Sequence, residues 1–240
     1  MEIIPHRNRD IEVIICHNEI MNLSLLGHRL VYRALTRSTP TTRVGVGAAW
    51  NLAMDSLTAE SFVISGGAGH DISFELELVG RTGCRLVLLD PSPTGKATVG
   101  QAELPSALFF EAKALSSQVG VISLAKPIDM REGSWRLDLS GSGEEMQSTS
   151  ISDIMQRFEV DRVDLLKIDI EGFEYDVLND VLQREIPIRQ ICVEIHQGPV
   201  FGKSRIDRWH LIFRLLKARY RLIHHDGWDH TFLHKGTRTA

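Results

Sequence analysis

Two rhythms of apolar and polar positions run along this chain, and the switches between them outline its elements. Residues 163–170 form a near-continuous aliphatic run, the pattern of a strand covered on both faces in a parallel sheet. Shorter apolar runs predict strands at 61–65, 85–90, 119–124 and 190–195, the second of them closed by Pro91 and Pro93, which cannot continue a ladder. Between the strands, apolar residues at helical spacing predict helices over 72–79, 104–115 and 175–182, the last with Val177, Leu178, Val181 and Leu182 on one side. Ser150 with Asp153 three residues on opens another helix, in which Ile151, Ile154, Met155 and Phe158 share a face. Trp209, Ile212, Phe213 and Leu216 mark the last helix. Residues 220–224 and 231–234 then alternate like two strands joined through Asp226-Gly227. The strand–helix alternation is that of an α/β fold.

Two regions fall outside this rhythm. Residues 1–57 lack clean periodicity and include a turn-rich stretch at 36–47, so they are expected to form an accessory region packed on a main domain at 58–240. Glycine, serine and charge mark 126–149 as a surface excursion and a candidate lid, with Gly141-Ser142-Gly143 as its most flexible point.

Composition narrows the function classes. A chain of 240 residues, 43% hydrophobic and 24% charged, is long enough for one large α/β domain. The net charge of −4 argues against nucleic-acid binding by bulk positive charge. Residues 201–240 do carry nine basic residues against three acidic ones, a pattern expected of a solvated helix face and a terminus. Cys16, Cys84 and Cys192 cannot all pair and sit in or beside apolar runs, which predicts reduced, packed thiols and a cytoplasmic protein. No run approaches the roughly 20 apolar residues that cross a bilayer, so no membrane association is expected.

The chemistry concentrates where the long aliphatic run ends. Leu165-Leu166-Lys167-Ile168-Asp169-Ile170-Glu171-Gly172-Phe173-Glu174 places one base and three acids where a buried strand should run out into a helix. Alternation puts Lys167, Asp169 and Glu171 on one face near the strand's carboxyl end, where ligands sit in open α/β sheets. A lysine snorkelling to solvent beside loop carboxylates is the competing explanation. Upstream, Val63-Ile64-Ser65-Gly66-Gly67-Ala68-Gly69-His70-Asp71 is a strand that ends in a turn whose bare backbone a ligand can approach. A dinucleotide fingerprint would require a third glycine where Ile72 stands, which disfavours a nicotinamide oxidoreductase. Asp90, at the end of the next strand, can accept hydrogen bonds from both ribose hydroxyls of a nucleoside.

These motifs in this order, with Leu89-Asp90-Pro91-Ser92-Pro93 and Val193-Glu194-Ile195-His196, resemble those of FkbM-type S-adenosylmethionine-dependent methyltransferases over roughly residues 61–235. Trp50 resembles an aromatic found before the first strand in relatives. The resemblance implies a class I Rossmann-like fold, with a seven-stranded, mostly parallel sheet, an antiparallel last strand and helices on both faces. It implies S-adenosyl-L-methionine held over Gly66, Gly67, Ala68 and Gly69, with its ribose at Asp90, where the family often has Glu. Asp71, at the start of the following helix, is either a further cofactor contact or a helix-start acid favoured by the dipole.

The implied reaction is methyl transfer to a hydroxyl of a small molecule or glycan, with Asp169, Glu171, Glu194 and His196 converging on one pocket. His196 is the first choice for the base, since its ordinary pKa lies nearest neutrality, and Asp169 or Glu171 the second. A divalent ion on Asp169, Glu194 and His196 is an alternative, but their spacing is no recognised metal signature, so no metal is expected. His224, His225, His230 and His234 are not expected to chelate, because neighbours on a strand point to opposite faces. One of them is a candidate to line the acceptor pocket. A non-catalytic nucleoside-binding module of the same fold is the alternative function, and the oligomeric state is not legible.

Overall fold

The computed structural model describes residues 30–127, 129 and 133–236. The chain divides between Arg37 and Ser38 into two units. In the first, residues 30–35 are helical. The second begins with an antiparallel hairpin of β1 (Thr42–Val44) and β2 (Trp50–Leu52) and continues with β3 (Phe62–Gly66), α1 (Ser73–Thr82), β4 (Arg85–Leu89) and α2 (Pro93–Gly100). Next come β5 (Leu108–Glu111), β6 (Ala114–Ser116), β7 (Gly120–Ala125), β8 (Arg136–Leu137), β9 (Glu144–Ser150) and α3 (Ile151–Arg157). The chain then runs through β10 (Val163–Ile168), α4 (Glu174–Gln183), β11 (Ile188–Glu194), α5 (Arg205–Lys217), β12 (Tyr220–Asp226) and β13 (Asp229–His234).

Among the described residues, seven strands form the main sheet in the order β12-β13-β11-β10-β3-β4-β5. β13 pairs antiparallel with both of its neighbours, while β11, β10, β3, β4 and β5 pair parallel. This is the α/β architecture implied by the motifs, with the last strand alone running against the rest. All six residues of β10 and all five of β3 are buried, as the aliphatic runs require of central strands. From β3 the chain steps outward through α1 to β4, and from β10 it steps the opposite way through α4 to β11. Right-handed crossovers in opposite directions put those helices on opposite faces and leave a crevice between the carboxyl ends of β3 and β10.

Three expectations from periodicity are corrected. Residues 104–115 are not a helix: they hold edge strand β5, which pairs with β4, and the start of β6. The connecting helix is α2, opened by Ser92, whose hydroxyl accepts from the Gly95 N–H at 2.9 Å, and by Pro93 in the first turn, where its missing N–H does no harm. The apolar run at 119–124 is a strand, but β7 belongs to a second, four-stranded sheet of order β6-β9-β7-β8. The described part of the excursion at 126–149 supplies β8 and most of β9 to that sheet, so that part is built into the fold and is not a free lid, and residues 128 and 130–132 lie outside the described residues. A third difference is rotational. The helix α5 buries Arg208, Leu211, Ile212 and Leu215, leaving Phe213 exposed, because the stripe of contacts lies one position from the aromatic one. Ser150 caps α3 as expected, and Ser204, which drew no attention in the sequence, caps α5.

Cys84 and Cys192 are free and buried, and Cys16 lies outside the described residues. Among the described residues, no helix is long and apolar enough to cross a membrane.

The register of β3 against β10 sets Ser65 beside Lys167 and Gly66 beside Ile168, so the two strands end level. Beyond them the Asp169 N–H donates to the Gly66 carbonyl at 3.0 Å. Gly67 follows at φ +91°, and a Cβ there would collide with the Asp169 carbonyl oxygen. Gly69, at φ +49°, would carry a Cβ into open space. Gly67→Ala is therefore expected to destabilise the protein by about 2–5 kcal/mol, from a left-handed backbone plus a main-chain clash. Gly69→Ala should lose only about 1–2 kcal/mol. Urea unfolding of the two variants checks this, and equal losses would contradict it.

Candidate active site

The glycine turn is held from three sides. The Asp90 Oδ2 accepts from the backbone N–H groups of Ala68 and Gly69 at 2.9 and 3.0 Å, and its Oδ1 accepts from the Ser92 N–H at 2.8 Å. From the other side, the Lys167 Nζ donates to the Gly67 carbonyl at 2.6 Å. Lys167 is 3% exposed and lies 3.7 Å from Glu75, which also accepts from the Ser65 hydroxyl at 2.6 Å. The lysine does not snorkel to water. It joins β10, α1 and the turn through buried, charge-assisted contacts. Asp71 tethers the third side. It accepts from the Ala48 N–H at 2.8 Å and from the Ser73 backbone N–H at 2.7 Å. Burial works against ionisation of its carboxyl, but these backbone donors hold it below its ordinary value.

Beyond β10 the backbone turns sharply, with Glu171 at φ +51° and Gly172 at φ +111°. That turn folds Glu174 back underneath it. The Glu174 side chain is fully buried and accepts from the N–H groups of Ile170 and Gly172 at 3.1–3.2 Å. Its Oε1 also lies 2.8 Å from the His196 Nδ1. An ionised carboxylate can only accept, so Nδ1 carries the proton and Nε2 points away from Glu174. There it meets Glu171 at 3.4 Å and Glu194 at 3.7 Å. The Tyr175 hydroxyl donates to the His196 carbonyl at 2.9 Å, and the rings of Phe201 and Trp228 stand 4.8 and 5.5 Å from the imidazole.

Electrostatics follow from this crowding. Burial alone would depress the His196 pKa, but the Glu174 bond and charge, followed by Glu171 and Glu194, hold it up at about 9. Burial, and then the charge of Asp169, pushes Glu194 up to about 8. The same two causes raise Asp229, at the start of β13, to about 6. Glu171 is raised by burial against the pull of His196 and a hydrogen bond from Ser134.

A cavity of about 300 Å³ opens over the turn, within the size range of small-molecule sites. Gly67, Ala68, Gly69, His70 and Asp71 line one side, and Leu89, Asp90 and Ser92 the next. Lys167, Asp169 and Glu171 form its far wall, and Leu115, Leu124 and Trp135 of the second sheet and its connections close it. Of the residues singled out in the sequence, Gly66 is buried in β3 behind the wall, with Ile170 and Leu115 against it. His196 and Glu194 do not line this cavity. The His196 Nε2 lies 3.4 Å from Glu171, which does line it. Asp169, Glu171 and His196 nevertheless converge, offering ligand atoms within 4.8 Å of one another.

The cavity joins a bare backbone turn to an acidic wall, features that a nucleoside with a cationic tail requires. Gly69 leaves bare space above the turn, and Asp90 stands at its rim. A carboxylate has about four acceptor positions. Three at Asp90 are taken by Ala68, Gly69 and Ser92, which leaves room for one hydroxyl donor, not the pair expected from the sequence.

Some participants carried no sequence signal strong enough to find them. Glu174 reads as an ordinary first-turn acid, although its place in the Lys167–Glu174 string was a clue. In sequence Glu75 looks like an exposed helix acid and Ser65 like an ordinary strand serine, and only the fold shows them beside Lys167. The C-terminal histidines take no part: none lines the cavity, His224 bonds to Asn51 at 3.1 Å, and His225 stacks on His230. It is Trp228 and Asp229 of that hairpin that reach the site.

No curated protein matches the chain. In structure it is similar to a protein of Methanococcus jannaschii described as a fibrillarin pre-rRNA processing protein, with 7% identity and a TM-score of 0.43 over 84% of this chain and 86% of that one. The sequence pattern of the methyltransferase FkbM domain matches residues 46–222. That span is most of the chain and includes the glycine turn, Asp90, the Lys167–Glu174 string and His196, so the chain belongs to the FkbM methyltransferase family.

Proposed function

We propose that the protein transfers a methyl group from S-adenosylmethionine to a hydroxyl oxygen of a small molecule or glycan. The observation that carries this reading is one continuous cavity with a bare glycine turn at one side and the Asp169–Glu171 wall, backed by His196, at the other. Gly67, Ala68 and Gly69 would lie against the cofactor, and Asp90 would take one ribose hydroxyl. When bound, S-adenosylmethionine supplies a methyl group on a sulfonium sulfur, open to in-line displacement by a nucleophile.

The chain's own residues then have two tasks. The first is to hold the acceptor oxygen in line and the second is to receive its proton. Glu171 suits the second task better than His196. It lines the cavity, and its burial makes it a stronger base than an exposed carboxylate. His196 does not line the cavity but directs Nε2 at Glu171 from behind, so it acts by positioning and charge-balancing that carboxylate. Glu171 would take the acceptor's O–H proton while Asp169 and Glu171 hold the oxygen toward the sulfonium methyl, whose transfer would leave a neutral thioether. Trp135, Leu115 and Leu124 keep bulk water from the cavity's inner wall, which strengthens each of these interactions.

Calorimetry of the folded protein with S-adenosylmethionine and with its demethylated product is expected to give saturable one-site heats. No heat with either ligand would overturn the cofactor assignment. With a panel of sugar and phenolic acceptors and labelled cofactor, Glu171→Gln is expected to slow methyl transfer by about 10²–10⁴-fold. Its affinity for the demethylated product should stay within about threefold of the wild type. Unchanged turnover in Glu171→Gln would remove Glu171 as the proton acceptor.

A further inference from the structure

The wall of carboxylates holds more negative charge than its protein partners offset. Asp169, Glu171, Glu194 and Asp229 gather at the carboxyl ends of β10 and β11 and the start of β13, and β11 and β13 pair Glu194 directly with Asp229. The cations close to them are Lys167 and His196. Lys167 is already committed to the Gly67 carbonyl and to Glu75. His196 gives its Nδ1 proton to Glu174, so only Nε2 faces the cluster.

Nε2 is aimed at carboxylate oxygens that cannot donate a hydrogen bond when ionised. A proton or a metal ion must therefore bridge that nitrogen and the oxygens it faces. The surroundings are those of a ligating imidazole. Metal-bound histidines give their other N–H to a carboxylate or carbonyl, and here that partner is a fully buried glutamate with its own backbone donors. Asp169, Glu171 and His196 bring two carboxylate oxygens and one nitrogen within 4.8 Å of one another. An ion with bonds of about 2.0–2.3 Å spans up to roughly 4.5 Å between opposite ligands, so a small closure of these side chains would grip it.

We propose that Asp169, Glu171 and the Nε2 of His196 form a binding site for a divalent first-row transition ion whose open coordination positions face the cavity. One imidazole with two carboxylates suits Mn²⁺, Fe²⁺ or Zn²⁺ better than Ca²⁺, which takes oxygen ligands alone. This site rests on the methyl-transfer reading and deepens it. The acceptor hydroxyl would complete the ion's coordination and lose its proton to the unliganded oxygen of Glu171, and the resulting alkoxide would bond to the methyl carbon as the carbon–sulfur bond breaks and the neutral thioether leaves. Glu174 is the positioning residue that fixes the imidazole.

The test uses the full chain freed of metal with a chelator, then titrated with Mn²⁺ under calorimetry and paramagnetic resonance. One saturable Mn²⁺ site is expected, with a hyperfine coupling to imidazole nitrogen that disappears in His196→Ala. Glu171→Gln, His196→Ala and Glu174→Gln should each weaken Mn²⁺ binding by about 10–100-fold. Glu171 is partly exposed, so its variant keeps the test valid if circular dichroism shows that the buried ones fail to fold. No saturable binding of Mn²⁺ or Zn²⁺ to folded protein, or binding undiminished in Glu171→Gln, would overturn the site. Heat from S-adenosylhomocysteine, measured on the same metal-free protein, separates the outcomes. If it binds and Mn²⁺ does not, only the metal site is wrong. If neither binds, the cofactor reading falls as well.

Discussion

The backbone of the glycine turn lies against the backbone at Asp169 more closely than any side chain would allow, and the rest of the site is built on that contact. β3 and β10 end level, the Asp169 N–H closes onto the Gly66 carbonyl, and Gly67 leaves the strand where a Cβ would strike the Asp169 carbonyl. The contact fixes the floor of the cavity to its acidic wall. Asp90 and Lys167 then seize the same turn from opposite sides, through its amides and its carbonyl. A surface that meets a ligand through backbone needs such bracing, because the turn has no side chains with which to pack itself. The crevice where strand order reverses supplies the place, and these polar contacts supply the rigidity.

A second constraint is electrostatic. Carboxylates near the interior destabilise a fold unless each is paired, hydrogen-bonded or neutralised. Glu174 meets that requirement through two backbone N–H groups and His196. Asp90 meets it through three backbone donors. Glu171, Glu194 and Asp229 do not, and their raised pKa values register the deficit. Groups left in that condition are suited to receiving a proton or a cation, whereas Asp90 and Glu174 are suited to holding still. The division between working and supporting acids is thus set by how many donors each one has.

The central strands were legible because burial on both faces selects mostly aliphatic residues, as at 163–168 apart from Asp164 and Lys167, and the glycine turn because a side chain at Gly67 would strike the backbone of Asp169. The convergence of Glu171, Glu194 and His196 could be anticipated from strand ends alone. The error at 104–115 arose because a short apolar run fits a helix or an edge strand equally well, and periodicity cannot arbitrate. The helix at Pro93–Gly100 was hidden by its proline and two glycines, although Ser92-Pro93 is a sound helix start. The second sheet has few aliphatic residues in β9, whose strand character comes from pairing and not from hydrophobic pattern. Glu174 and Asp229 could not be found by spacing, because a left-handed residue at Glu171 breaks the alternation and a hairpin brings Asp229 in from more than thirty positions downstream of Glu194.

The most direct measurement is a crystal structure of the chain with S-adenosylhomocysteine. The nucleoside is expected over Gly67, Ala68 and Gly69, with a ribose hydroxyl on Asp90 and the thioether sulfur facing Asp169 and Glu171. A nucleoside bound elsewhere, or a sulfur directed away from that wall, would contradict the assignment of this cavity as the site of methyl transfer.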